Sequence, residues 1–211
     1  MARPRNQAAR RAHLVQAAAQ TVLDRGVTNA RLRDIADRAG LTPASVLYYY
    51  PDINDLLVAV YEQGTETYVL RRQAAVEART DAWEKLRACV ASGIPFSGEA
   101  ETTSRLLYEL LPVAFRSEAA GVRQRAFVAR QTGLYRQVLD EGAASGAFRL
   151  VAPSGFLARG FVALEDGYGI DVLSGAATAE QVQEHLLHHA RLVTGTSATH
   201  VIEAGTPDVH R

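Results

Sequence analysis

The residues best suited to chemistry cluster in the first quarter of the chain. Residues Leu41 to Asp52 read LTPASVLYYYPD, with three consecutive phenols at Tyr48, Tyr49 and Tyr50. Just upstream, Arg31 and Arg33 sit in RLRDIADRAG. A phenolic hydroxyl donates well to a phosphate oxygen, and a guanidinium fork grips either phosphate or the O6/N7 edge of guanine. Elsewhere the patterns are weaker. His185, His188 and His189 share one helix face, but no cysteine or spaced carboxylate completes a metal-ligand set, so they read as surface or interface histidines and no metal is expected. Glu165 and Asp166 are adjacent, which turns them about 100° apart on a helix and rules out a shared acid/base site. No glycine-rich phosphate loop, nucleophile elbow or zinc-protease signature occurs. The chain therefore reads as a non-enzyme that needs no cofactor.

The elements that must hold these groups are helices, because strand signals are nearly absent. Gln7 to Asp24 places Leu14, Ala18 and Val22 on one face and ends at Gly26. A second, short stripe of Leu32, Ile35, Ala36 and Ala39 ends at Gly40. Thr42 can then cap a third helix with Pro43 at its first position, and Pro51 stops it. A long fourth helix follows Asp52 or Asn54, and five more are expected at about 81–93, 99–116, 119–145, 153–174 and 179–193. Residues 141–155 read as a connecting loop apart from the end of the seventh helix. The fold class is all-α with about nine helices: a three-helix head over 1–52, a larger bundle over 53–195 and a loose tail over 196–211.

Two short helices joined by AGLT behind a longer one form a helix-turn-helix pattern, and the helix from Pro43 to Tyr50 would enter a major groove N-terminus first. On that helix Val46 and Tyr50 face inward, while Tyr48 and Tyr49 point toward the phosphate walls. Charge agrees. Up to Tyr50 the chain carries eight arginines against three aspartates, whereas the remainder is net acidic and the whole chain has a formal net charge of zero. A basic quarter on an acidic body suits a polyanion such as DNA. Composition excludes other classes: with 47% hydrophobic and 22% charged residues the chain is an ordinary globular one. No apolar run could span a bilayer, the basic N-terminus has no apolar core behind it, and the single cysteine, Cys89, allows no intrachain disulfide. The expectation is a cytoplasmic protein that does not enter the membrane.

The stretch RLRDIADRAGLTPASVLYYYPDINDLL resembles the DNA-binding head of TetR-type (tetracycline-repressor-like) transcriptional regulators, a likeness that covers about residues 8–58. The resemblance implies a role for each matching position. Arg33, Thr42, Pro43, Ala44 and Ser45 would make base or near-base contacts, and Tyr48, Tyr49 and Arg31 phosphate contacts. Leu47 departs from the pattern, since that position is usually tyrosine, and so does Ile53, where many members carry lysine. Binding would then lean more on Arg3, Arg5, Arg10 and Arg11. The implied partners are a double-stranded palindromic operator, a second copy of the chain and a small-molecule effector, with repression as the expected outcome; the alternatives are a helix-turn-helix regulator without a small-molecule effector and a ligand-sequestering helical protein.

The body is less specific. Pairing two heads is expected because one head reads too little sequence for a genome. The two last helices offer Leu157, Phe161, Leu164 and Tyr168 on one, and Val182, Leu186 and His189 on the other. The resemblance implies that such a pair forms a four-helix dimer interface, although part of each stripe can face the subunit's own core. Trp83, Phe96, Tyr108, Phe115, Phe127 and Tyr135, with Arg130 and Glu165, could line an effector pocket, and each aromatic fits plain core equally well.

Overall fold

The structure, a computed structural model, describes residues 3–116 and 118–196. The tail expected over 196–211 lies outside the described residues except for its first position. So do the side chains of Arg3 and Arg5. Among the described residues there are nine α-helices and no strand. They are α1 (Arg3–Arg25), α2 (Leu32–Arg38), α3 (Pro43–Tyr49), α4 (Ile53–Glu77), α5 (Ala82–Gly93), α6 (Glu99–Ala114), α7 (Glu118–Ala144), α8 (Ser154–Ser174) and α9 (Ala179–Thr194). The periodicity placed every one of them. α1 starts earlier than Gln7 because Pro4 falls in its first turn, where a missing N–H is no loss.

Two compact units divide the chain: residues 1–72 with 94–131, and residues 73–93 with 132 onward. The division therefore runs through α4 and α7 rather than at residue 52.

In the first unit, Leu14, Ala18 and Val22 of α1, Ile35 and Ala36 of α2 and Val46 of α3 are all fully buried. They join Leu56 and Val60 of α4 and Leu110 of α6 in one continuous apolar cluster. The head thus shares its core with α4 and α6. Burying an aliphatic side chain contributes about 1.5–3 kcal/mol, so this shared core ties the head to the two helices that follow it.

In the second unit, Leu86, Cys89 and Val90 of α5, Val138 and Leu139 of α7, Phe161 and Val162 of α8 and Leu186 and Ala190 of α9 are buried. Cys89 is a small buried hydrophobe, as its isolation in the sequence suggested. Beyond α7 the chain runs along the end of α9, where the Arg149 N–H donates to the Thr194 carbonyl at 2.8 Å and the Val151 N–H to the Val193 carbonyl at 3.1 Å. Thr178 caps α9, its hydroxyl accepting from the Gln181 N–H. No described helix is long and apolar enough to cross a membrane.

Candidate nucleic-acid interface

The turn before α3 is built by short-range chemistry. Gly40 has φ +63°, a left-handed conformation that suits glycine, and the Leu41 N–H reaches back to the Ala36 carbonyl at 2.9 Å, closing α2. Thr42 Oγ1 accepts from the Ser45 N–H at 3.2 Å and lies 2.9 Å from the Ser45 hydroxyl. At the other end, the Tyr50 backbone is extended ahead of Pro51, and Asp52 Oδ1 accepts from the Asn54 N–H at 2.9 Å to start α4. That hydrogen bond holds the Asp52 carboxyl below its ordinary value.

Contacts between α1 and the α2 region fix the helix that precedes α3. The carbonyl of Ala39 can only accept, so His13 Nε2 donates to it at 3.1 Å. Arg25 pairs with Asp34 at 3.2 Å, and Arg38 pairs with Asp24.

The outcome for the tyrosines follows from this placement. Tyr50 is buried with Val46, and Arg11 lies 5.2 Å over its ring. Burial pushes the Tyr50 phenol up from its ordinary value, with Arg11 pulling the other way. Tyr48 is 72% exposed. Tyr49 is half-buried against the head core, its ring edge-on to Tyr48 with centroids 5.1 Å apart. Thr42, Pro43 and Ala44 are exposed and Ser45 half-exposed, so the first turn of α3 stands clear of the core. Arg31 and Arg33 of the α2 region are exposed. Among the described residues Arg33 pairs with Asp37 alone, at 3.8 Å, with 85% of its side chain exposed. An exposed pair of this kind is worth about 0–1 kcal/mol, so the guanidinium can exchange Asp37 for a phosphate or a base at little cost. Ile53 packs against the head core.

This surface belongs to a known type. Residues 14–60 match the family described as bacterial regulatory proteins, tetR family. That match spans the head and the start of α4. The chain is 30% identical over 100 residues to the HTH-type transcriptional activator FasR of Mycolicibacterium smegmatis. That match takes in 47% of this chain and 46% of the relative, about half of each. Among solved structures, a transcriptional regulator from Saccharomonospora viridis in complex with choline superposes with a TM-score of 0.79 at 23% identity, covering 86% of this chain and 95% of that one. A TetR transcription regulator from Haloarcula marismortui gives a TM-score of 0.76 at 22% identity, covering 89% and 97%. These two likenesses are of fold. The matched head is that of a family of transcriptional regulators, and the two solved structures share the all-α fold of this chain.

The candidate residues of the body fall partly inside the subunit. Leu157, Phe161, Val182 and Leu186, expected at a dimer interface, lie inside the subunit's own core. Phe161 stacks on Tyr135 at 4.7 Å and meets His189 edge-on at 5.2 Å. Leu164, Tyr168 and His189 are half-buried. An apolar stripe marks a buried face, but the burial can be intramolecular, and here it is. The outward stripes are different ones: Phe156, Ala163, Gly167 and Ile170 on α8, and His185, His188 and Leu192 on α9. Phe156 is 74% exposed and Leu192 62%. Their spacing was legible, but it was the second stripe on each helix.

The eight residues proposed for an effector pocket are divided between the two units. Tyr135 donates to Glu165 Oε1 at 2.5 Å in the second unit, where Gly93 leaves room for that carboxylate: a Cβ at Gly93 would lie 2.0 Å from it. Trp83, in the same unit, lies under Arg191. In the first unit, Phe127 packs edge-on to Tyr68, Arg130 pairs with Glu66 at 2.5 Å, and Phe96 and Tyr108 are half-buried. Phe115 is 70% exposed, too open for a pocket wall. No group of three His, Cys, Asp or Glu side chains among the described residues is placed to hold a metal.

Proposed function

We propose that this chain is a tetR-family regulator that acts as a homodimer on a palindromic operator, and that a small molecule controls its hold on the DNA. The observation that carries the reading is the first turn of α3, capped by Thr42 and exposed from Thr42 to Ala44 beside the exposed Arg33 and Tyr48. A major groove about 12 Å wide admits such a helix. In this reading Arg33 reads guanine, Thr42, Pro43, Ala44 and Ser45 lie at or near base edges, and Arg31, Tyr48 and Tyr49 hold phosphates. Residues 1–52 are the reading head, and 53–195 sense and dimerise. The exposed apolar stripes of α8 and α9 are the surface a second copy would cover. Effector control is a population shift: the ligand favours a spacing of the two heads that no longer matches half-sites about one helical turn or a multiple apart.

The test is fluorescence anisotropy on duplexes from the regulator's own upstream region, with a scrambled duplex and the Arg33→Ala variant, at about 50 and 200 mM salt. Tight, sequence-dependent binding that the variant loses is expected. Equal, weak binding of all duplexes, repeated after selection from random duplexes, would overturn the reading. Repression is the favoured outcome of binding. Activation is the second reading, supported by the relative that is named as an activator. A reporter placed behind the selected operator separates the two by the sign of its response.

A further inference from the structure

Between α1, α4 and α6, within the first unit, lies a cleft of about 120 Å³ lined by Val15, Ala19, Val60, Gln63, Gly64, Thr67, Thr103 and Leu106. None of the eight pocket residues expected from the sequence takes part in it. Its chemistry is specific in three respects. Val15, Val60 and Leu106 give it apolar walls. Three neutral polar side chains, those of Gln63, Thr67 and Thr103, reach it with no hydrogen-bond partner among the described residues. Thr103 is the most telling, because the residue is 9% exposed while its hydroxyl stays open to water through the cleft. A ligand that displaces that water keeps its affinity only if it returns the hydrogen bond. Finally, no ionisable residue lines the cleft, so a charged guest would have nothing to pair with.

We propose that this cleft is a regulatory binding site for a small neutral molecule of about six non-hydrogen atoms carrying a hydroxyl or amide. The size follows from cavity precedent, since an apolar cavity of about 150 Å³ holds benzene. The inference deepens the effector reading above and rests on it for the regulatory role. The position supplies that role. α1 is the scaffold helix of the head, and α6 reaches the head one turn beyond the cleft, where Glu109 Oε2 accepts the Val27 N–H at 3.1 Å in the α1–α2 turn. A guest wedged at Ala19, Thr103 and Leu106 separates α1 from α6 at one end of a contact that Glu109 pins at the other. The head then shifts against α4 and α6 without any signal from the second unit.

The test uses the whole 211-residue chain and cyclopentanol as probe, with cyclopentanecarboxylate and cyclopentylamine as charged counterparts. Methyl resonances of Val15, Val60 and Leu106 are followed by NMR, and operator affinity by anisotropy in the same buffers. Saturable shifts at those methyls are expected, with half-saturation on the order of millimolar for so small a ligand. The charged counterparts should not compete. Thr103→Val, close in shape, should weaken cyclopentanol about tenfold, the loss expected for one neutral hydrogen bond. Ala19→Leu, which fills the cleft, should abolish the shifts. Operator affinity should fall as the site fills, and Glu109→Ala, which removes the acceptor of the Val27 N–H, should blunt that fall while leaving the methyl shifts in place. No saturable shift, or shifts identical in Thr103→Val and Ala19→Leu, overturns the site and leaves the cleft a hydrated crevice. If the methyls respond and the wild type binds operator but affinity does not change, the site is a binding site without the regulatory role, and the proposal fails. If no duplex is bound at all while the methyls still respond, the DNA reading fails and the binding site does not.

Discussion

The α3 region and the α8/α9 pair present opposite problems to a reader of sequence. α3 is seven residues long and contributes one buried side chain, Val46, to the core. Almost everything else on it faces outward, so residue type reports chemistry directly: a capping threonine, a proline at the first position, phenols at the end. α8 and α9 are long, and their apolar positions outnumber what one face can hold. On those helices a hydrophobic residue reports only that something covers it. Phe161 and Phe156 are both phenylalanines on α8, yet one is fully buried in the subunit and the other is 74% exposed. Short elements with little core to fill show their function. Long elements that bury two faces hide which face meets the partner.

The largest effect that would break or sharpen this contrast is on stability. Phe161→Ala should cost about 3–5 kcal/mol, as expected for a buried aromatic that leaves a cavity, read as a drop in urea midpoint. Phe156→Ala should change the midpoint of the dilute chain by less than about 0.5 kcal/mol. If the two variants fall together, the burial difference does not describe the protein in solution. Phe156→Glu should instead lower dimer affinity by more than about tenfold in sedimentation, because a charge would enter the proposed subunit contact. A dimer that is indifferent to Phe156→Glu, Ile170→Glu and Leu192→Glu would place the interface elsewhere.

A smaller effect belongs to the head. Arg33→Ala should cost about 1–3 kcal/mol in specific binding and relax preference at one base position. Tyr48→Phe should weaken all duplexes alike by about 1 kcal/mol, since it removes one hydroxyl without changing the fold. Neither should move the urea midpoint appreciably, because both side chains are exposed. Within the second unit, Tyr135→Phe should cost about 1–3 kcal/mol of stability with no effect on the head, as the Glu165 carboxylate loses a buried donor.

These differences show what the sequence could and could not carry. All nine helices among the described residues were legible, because their apolar periods and the caps at Gly26, Gly40 and Thr42 are local signals. The outward phenol was legible in Tyr48, since α3 has room to bury only one of three. Tyr49 was not: its half-burial depends on the packing of α3 against the rest of the head, which no short window contains. The burial of four of the candidate interface residues within the subunit has a related reason. Leu157, Phe161, Val182 and Leu186 form clean stripes, and a period of 3.6 says that a face is covered without saying by which chain. The α1–α4–α6 cleft gave no signal at all. Gln63, Thr67 and Thr103 look like surface polar residues until α4 and α6 are placed beside α1.

The smallest effect concerns His189, the one position expected at the dimer interface whose state the structure describes chemically. Burial holds its imidazole below the ordinary value of 6.5, beside the edge of Phe161. The native state therefore keeps it neutral at pH values where the unfolded chain takes up a proton. Unfolded chains bind more protons in that window, so stability rises with pH there. The contribution is fully present above about 6.5, is lost as pH falls below it, and stops falling once the pH passes below the lowered native value. Urea midpoints measured from about pH 7.5 down to about pH 5 should show this slope, and His189→Gln should flatten it. If His189 instead sat in a wet crevice between subunits, the slope would depend on protein concentration. A concentration-independent slope that vanishes in His189→Gln places the imidazole in the subunit's own core, with Phe161 and against the partner.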